Sequence, residues 1–386
     1  MDMLEAKKIL AAESMRELGI MGEIDPENLV HLEKQASHIS KNEGLLRLFA
    51  QIYQSIYHGG EVNLPDEMES LHGETYSFYA LLAIAGLREA EKHFNKFGIP
   101  PEVRRGTYSD TGIWIKHFHA SIGKRGISPR ILGWEAGLFH GSLYRLGRLQ
   151  FGLRPFYPQA MAFRNVMTGR VQAFASPGMK FDSEGLCDGV DGHCDPNGFW
   201  ESEYSASGDK VTGNPVSPAG FASKEKLTLN LFEWKKILEP GDGVIDVHIP
   251  EDGPMTIEAC ADAMEKALKF FPEYFPDRPF KGFACESWLF DPHFASILKP
   301  ESNIIKFQKE FYMFPIECSG KDTAWRIFGE KGLSGGLANT PRKSSMQKAC
   351  AEFMESGGFF RSGGGFYMLE DLPYGRTVYR AGNACT

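Results

Sequence analysis

Near Gly147 the chain changes its hydrophobic period, and that change constrains the fold more than any other feature of the sequence. Before it, apolar residues recur at intervals of three and four. Leu45, Leu46, Leu48, Phe49, Ile52, Tyr53 and Ile56 make one such stripe and Tyr79, Leu81, Leu82 and Ile84 another, the spacing of helices that each bury one face. After it, alternation and β-branched or aromatic runs mark 149–156, 171–175, 227–232 and 243–249 as strands. The reading is an α+β chain: a helical N-terminal domain over 1–146, then a mixed β-sheet flanked by helices over 147–386. A chain of 386 residues has room for two such domains.

Local signals place the elements. Ser109-Asp110 reads as a helix cap before Ile113, Trp114, Ile115 and Phe118, and Ser128-Pro129 as the start of a further helix. Pro250 ends the 243–249 strand, Asp252-Gly253-Pro254 is a turn, and Thr256 caps a helix that buries Ile257, Cys260, Ala261, Met264, Leu268 and Phe271. Beyond it come a strand at 282–289, a short helix at 292–298, a strand at 304–314, helices at 322–328 and 342–355, and a last strand at 366–369. Gly363-Gly364-Gly365 reads as a hairpin turn.

Charge and composition exclude several functions. Lys and Arg number 42 against 50 Asp and Glu, so no global positive field draws nucleic acid. The most apolar run, 79–87, is half the length of a membrane-spanning helix. Seven cysteines with no C-x-x-C pair read as reduced thiols, and the acidic start lacks the basic region of a signal peptide, so the expected location is the cytoplasm. No P-loop or H-E-x-x-H motif occurs. Gly332-Leu333-Ser334-Gly335-Gly336 fits the G-x-S-x-G pattern but lacks the strand before and the helix after it.

The richest chemistry lies where the 243–249 strand meets the Thr256 helix. Alternation puts Asp246 and His248 on one strand face, and a carboxylate that orients an imidazole makes a general base. The alternative is a histidine that packs at a strand end and bonds the turn. The next strand adds Cys285, Glu286 and Ser287: a thiol, a second acid or base, and a hydroxyl. Lys306, Gln308, Glu310 and Tyr312 are expected on one face of the strand after it, with Tyr312 a candidate to protonate a leaving group. The loop 182–210 holds eight acids against one Lys, yet Asp188, Asp191, His193, Cys194 and Asp195 match no calcium or zinc spacing, so it reads as a solvated acidic loop and no metal is expected. Residues 101–160 hold nine cations against three acids; Arg104, Arg105, Lys116, Lys124, Arg125 and Arg130 read as a basic helical surface.

The runs Val244-Ile245-Asp246-Val247-His248-Ile249-Pro250-Glu251-Asp252-Gly253-Pro254-Met255-Thr256, Ser287-Trp288-Leu289-Phe290-Asp291-Pro292 and Ser302-Asn303-Ile304-Ile305-Lys306-Phe307-Gln308 resemble bacterial acyltransferase-domain proteins. In these a helical N-terminal region precedes a GNAT-like C-terminal domain. Arg145-Leu146-Gly147-Arg148-Leu149-Gln150-Phe151 resembles their entry into the first sheet strand. The resemblance implies acyl transfer from a CoA-type thioester, a co-substrate and not a tightly held cofactor, to a small-molecule amine. It puts the general base at His248 and the donor pyrophosphate at the start of the Thr256 helix, near Ile249, Gly253 and Thr256, with the thioester between two splayed strands. The turn differs from a glycine-rich phosphate loop in carrying Glu251, Asp252 and Pro254, which has no N–H.

Three readings follow. The first is an acyltransferase whose donor is held by other groups, such as Arg342 and Lys343, or is an acyl-carrier protein. The second is a binding or scaffold protein that keeps the fold without turnover. The third is a hydrolase that uses Asp246, His248 and Glu286 on an ester or amide.

Overall fold

The computed structural model describes residues 1–61, 63–157, 159–329 and 336–380. By compactness the chain divides into one unit of Met1–Gly152 with Ile249–Gly253 and a second of Leu153–His248 with Pro254–Thr386.

The first unit is built from α1 (Met3–Ile9), α2 (Ala12–Met21), α3 (Pro26–Lys41), α4 (Glu43–His58), α5 (Thr75–Phe97), α6 (Pro101–Ile122) and α7 (Pro129–Phe139). It also holds the β1 (Tyr144–Leu146) hairpin with the first half of β2 (Leu149–Pro155). From Ser77 to Leu87 every residue of α5 is buried, the pattern of a helix enclosed on all sides. A Cβ at Gly86 would lie 2.3 Å from the Tyr57 hydroxyl and 2.7 Å from Phe139, so glycine there sets how closely α4 and α7 approach α5. Ser128 caps α7 as expected, its hydroxyl accepting from Ile131 N at 3.4 Å.

Ser109-Asp110 is not a cap. Helix α6 runs straight through it, and Asp110 is 2% exposed. Its Oδ2 accepts the indole N–H of Trp114 (3.1 Å) and of Trp134 (3.0 Å). Beside it the wholly buried Glu135 accepts from the Thr111 hydroxyl at 2.5 Å. Burial raises the carboxyl of Asp110; burial and the neighbouring Asp110 carry Glu135 well above the usual carboxylate range. Two adjacent carboxyls removed from water favour sharing a proton over a double negative charge.

The second unit begins partway along β2. An antiparallel layer of β3 (Ala160–Asn165), β4 (Val171–Ala175), β9 (Pro215–Val216) and β11 (Trp234–Leu238) is ordered β11-β3-β4-β9. The 182–210 loop proves to carry short strands. β6 (Trp200–Glu201) pairs with β5 (Lys180–Phe181); β7 (Tyr204–Ser207), β8 (Lys210–Gly213) and β10 (Leu227–Asn230) form a three-stranded sheet. Met161, Phe163, Phe174, Val211 and Leu229 fill a small core between these layers.

The main sheet of this unit continues from β2 through β12 (Gly243–His248), β13 (Gly282–Ser287), β15 (Gly363–Met368) and β14 (Tyr312–Pro315) in that spatial order. β12 and β13 are parallel, which requires a crossover, and α8 (Ile257–Tyr274) supplies it. The helix buries Cys260, Ala263, Met264, Ala267, Phe270 and Phe271, and Thr256 caps it as expected, accepting from Ala259 N at 3.2 Å. A satellite core of Phe294, Ile305, Ala324, Ile327, Phe328, Cys350, Ala351 and Phe360 lies among α9 (Phe294–Ile297), α10 (Asn303–Glu310), α11 (Lys321–Phe328) and α12 (Ser345–Glu355).

Two expectations fail here. The strand expected over 304–314 is α10, capped by Ser302 onto Ile305 N, followed by the short β14. Lys306, Gln308 and Glu310 therefore share no strand face with Tyr312. Gly363-Gly364-Gly365 is the start of β15, paired to Ser287, Glu286 and Cys285, and not a turn. A Cβ at Gly364 would lie 2.4 Å from the Phe314 ring, and at Gly363 2.3 Å from Phe290 O.

Among the described residues no helix is long and apolar enough to cross a membrane. Cys187, Cys194, Cys260, Cys285, Cys318 and Cys350 are free thiols.

Candidate active site

β12 delivers Asp246 and His248 to one face, and the two side chains meet: His248 Nε2 lies 2.7 Å from Asp246 Oδ2. Behind them stands Arg154, near the end of β2. Its Nε is 2.9 Å from Asp246 Oδ1 and its Nη2 is 3.4 Å from Glu286 Oε1 on β13. The Nε–H points off the carboxylate oxygen, so the first contact is a close ion pair and not an aligned hydrogen bond. The guanidinium also lies over the Tyr157 ring, 4.0 Å from its centre. Burial pushes the Asp246 carboxyl up, but His248 and Arg154 together outweigh it and hold the group below its ordinary value. For Glu286 burial wins: Arg154 pulls down, Asp246 pushes up, and the carboxyl sits above its usual range.

The β12–β13 ladder pairs Ile245 with Phe283 and Asp246 with Ala284. Both strands run on, to His248 and Ser287, without further pairs between them among the described residues. His248 and Glu286 thus stand two residues past the last pair. Cys285 points to the other face; it is 1% exposed, and burial drives its thiol well above the ordinary range. Such a thiol is a core residue and not a nucleophile. The Ser287 hydroxyl accepts from Leu289 N at 3.1 Å.

The turn after β12 is counted with the helical unit, and its contacts there change the meaning of its acids. Glu251 is 2.6 Å from His117 Nδ1, Asp252 Oδ2 is 2.6 Å from Arg145 Nη2, and Gly253 O accepts from Arg148 Nη2 at 2.9 Å. Asp252 has a cationic partner in Arg145 and Glu251 an imidazole in His117, so the turn does not present two bare negative charges. Ile249 is half-buried; Gly253 is exposed and takes a positive φ of 85°. Arg342 forms an ion pair with Glu355, and Lys343 is exposed, its backbone N–H donating to Gln347 Oε1 at 2.9 Å ahead of α12.

Tyr312 is placed elsewhere. It is 1% exposed, its hydroxyl donating to Val216 O at 2.5 Å and accepting from Ala173 N at 3.1 Å, and burial raises it. The phenol joins β14 to β4 and β9. The acids of the 182–210 loop turn onto their own chain: Asp182 Oδ1 accepts from Leu186 N, Asp188 from Asp195 N, Asp195 from Ser183 and Asn197 N, and Asp191 from Gly320 N. Among the described residues no three His, Cys, Asp or Glu are grouped to hold a metal. Of the basic surface, Arg104 bonds Glu91 and Arg125 pairs with Glu27. The Gly332–Gly335 part of the G-x-S-x-G run lies outside the described residues. Sequence reasoning missed Arg154, whose partners lie 92 and 132 positions onward, a pairing no local pattern marks.

A family model described as a GNAT-like C-terminal domain matches residues 143–367, and one described as an N-acyltransferase N-terminal domain matches residues 11–141. Similar solved structures include an acyltransferase in complex with decanoyl-CoA and teicoplanin, at 18% identity, TM-score 0.62, covering 92% of this chain and 88% of that one. A mutant acyltransferase in complex with octanoyl-CoA is similar at 18% identity, TM-score 0.63, over 94% and 88% of the two chains. An acyltransferase in complex with decanoyl-CoA gives 18% identity and TM-score 0.61 over 94% and 88%. At such identity the likeness is one of fold. No curated protein matches.

Proposed function

The chain belongs to the family marked by a GNAT-like C-terminal domain, and on that footing we propose that it transfers an acyl group from acyl-CoA to a small-molecule amine, with His248 as general base. One observation carries the reading: the parallel strands β12 and β13 stop pairing after Asp246 and Ala284, and the Asp246–His248 couple stands at the end of that pairing. Strand ends that do not pair with each other suit a thioester beside an oriented imidazole. The matched structures named above hold acyl-CoA, which supports CoA and not an acyl-carrier protein as donor. The donor positions proposed are Ile249, Gly253, the capped helix start at Thr256, Arg342 and Lys343.

The steps follow from the residues. In the proposed step His248 directs an Nε2–H to Asp246 and uses the lone pair of Nδ1. The amine nitrogen attacks the thioester carbonyl carbon and the C–N bond forms. Nδ1 takes the proton the nitrogen loses, Asp246 stabilises the resulting imidazolium, and the C–S bond breaks to release the thiolate. Attack is direct in this reading: the Cys285 thiol on β13 is buried and pushed well above its ordinary range.

The test is thiol release from octanoyl-CoA and decanoyl-CoA with a panel of primary amines. Acceptor-dependent release is expected, with His248→Ala lowering kcat/KM by roughly 10²- to 10⁴-fold. A variant within about twofold of wild type refutes the base assignment. Release that ignores the amine refutes transfer and favours the hydrolase reading.

A further inference from the structure

Around Arg154 two carboxylates face one cation inside a largely buried cluster: the side chains of Arg154, Asp246 and Glu286 are 11%, 16% and 25% exposed. One guanidinium in such a place stabilises one carboxylate fully; a second, if equally charged, has no equal compensation. The distances choose between them. Asp246 has Nε at 2.9 Å on one oxygen and His248 at 2.7 Å on the other, whereas among the described residues Glu286 has only Nη2 at 3.4 Å.

We propose that Arg154 is the positioning residue that divides these two acids, fixing Asp246 as the permanent anion behind His248 and leaving Glu286 to carry the proton that the departing thiolate takes up. The inference rests on the acyl-transfer reading above and assigns that site the acid it otherwise lacks, since the Tyr312 hydroxyl is engaged with Val216 and Ala173. The balance closes. The amine proton passes to His248, the Glu286 carboxyl gives its proton to the thiolate to form the free thiol, and the imidazolium and the carboxylate exchange one proton with water to restore the start. Nothing is oxidised or reduced. Tyr157, stacked on the guanidinium, limits its rotation, and the Arg154 Nη1 donation to Pro155 O at 3.1 Å fixes its height along the strand.

The groups whose charge reaches Glu286 are Arg154 from β2, Asp246 and His248 from β12, the neighbouring Cys285 thiol on β13, and the Cys318 thiol from the loop after β14. Of these Arg154 is the largest pull toward the ionised form. Two experiments separate this inference from the reading it rests on. The first needs no substrate: carboxyl ¹³C shifts of Glu-labelled protein are followed against pH, with the Glu286 signal assigned by its loss in Glu286→Gln. The expected result is a midpoint above that of ordinary glutamates, which moves up by about one further pH unit in Arg154→Met and by less in Arg154→Lys, which keeps a cation. A Glu286 midpoint in the ordinary range, or one unmoved by Arg154→Met, overturns the proposal. The second is the pH profile of kcat for thiol release. An acid that must be protonated gives a limb that falls as pH rises through its titration; that limb should shift to higher pH in Arg154→Met and vanish in Glu286→Gln. A limb left in place by both changes overturns it too, even where acyl transfer itself is observed.

Discussion

Replacing Tyr312 by phenylalanine distinguishes a structural phenol from a catalytic one. The ring stays, stacked on Phe366 at 5.0 Å, so no cavity opens. Only the hydroxyl goes, with its two bonds. Val216 O keeps a partner, because the Gln172 side-chain amide also donates to it at 3.1 Å. Ala173 N loses the Tyr312 oxygen it donates to, at a site that is 0% exposed and closed to water. An unpartnered buried N–H costs about 1–3 kcal/mol, and the lost bond at Val216 adds under about 1 kcal/mol, for a total near 2 kcal/mol. In a unit of this size that is a Tm lowered by roughly 4–8 °C. Calorimetry gives the Tm, and thiol release at a temperature where both forms are folded gives kcat. The expected outcome is a lower Tm with kcat within about twofold of wild type. An unchanged Tm with kcat reduced about tenfold or more would refute the reasoning and return Tyr312 to the chemistry.

Two further stability predictions follow. Glu135→Gln removes the raised acid of the Asp110 pair. Because the folded carboxyl holds its proton more tightly than the unfolded one, Glu135 contributes stability that is complete below the unfolded value, about 4.3, and is lost as pH rises through the folded value. Between pH 5 and 9 the glutamine form should therefore show a flatter Tm than wild type, and parallel curves would disprove a retained proton. Gly364→Ala puts a methyl 2.4 Å from the Phe314 ring and should lower stability by about 1–3 kcal/mol in urea unfolding; a neutral result would mean that β15 moves aside freely.

The parts of the fold legible in the sequence were those governed by neighbours along the chain. Thr256 and Ser128 cap the helices they precede, and alternation alone brought Asp246 and His248 together. Where the governing contact is distant, local patterns misled. Ser109-Asp110 has the composition of a cap, yet the carboxylate is held inside a helix by indoles four and twenty-four residues away. Ile304, Ile305, Phe307 and Phe311 suit a strand or a short helix, and the Ser302 cap was the overlooked sign. Three glycines suggest a turn, but here they admit the Phe290 and Phe314 rings against a strand. Arg154 joins three strands that only the folded sheet makes neighbours.

The buried Asp110–Glu135 couple also alters how the molecule's charge is counted. A tally of side chains gives a formal net charge of −8, with every carboxyl ionised. A folded chain that keeps one proton between these two acids carries one negative charge fewer than that tally, and it surrenders the proton to the buffer when it unfolds near neutrality. The apparent heat of unfolding should then depend on the buffer's own heat of protonation, with a slope that counts the released proton directly.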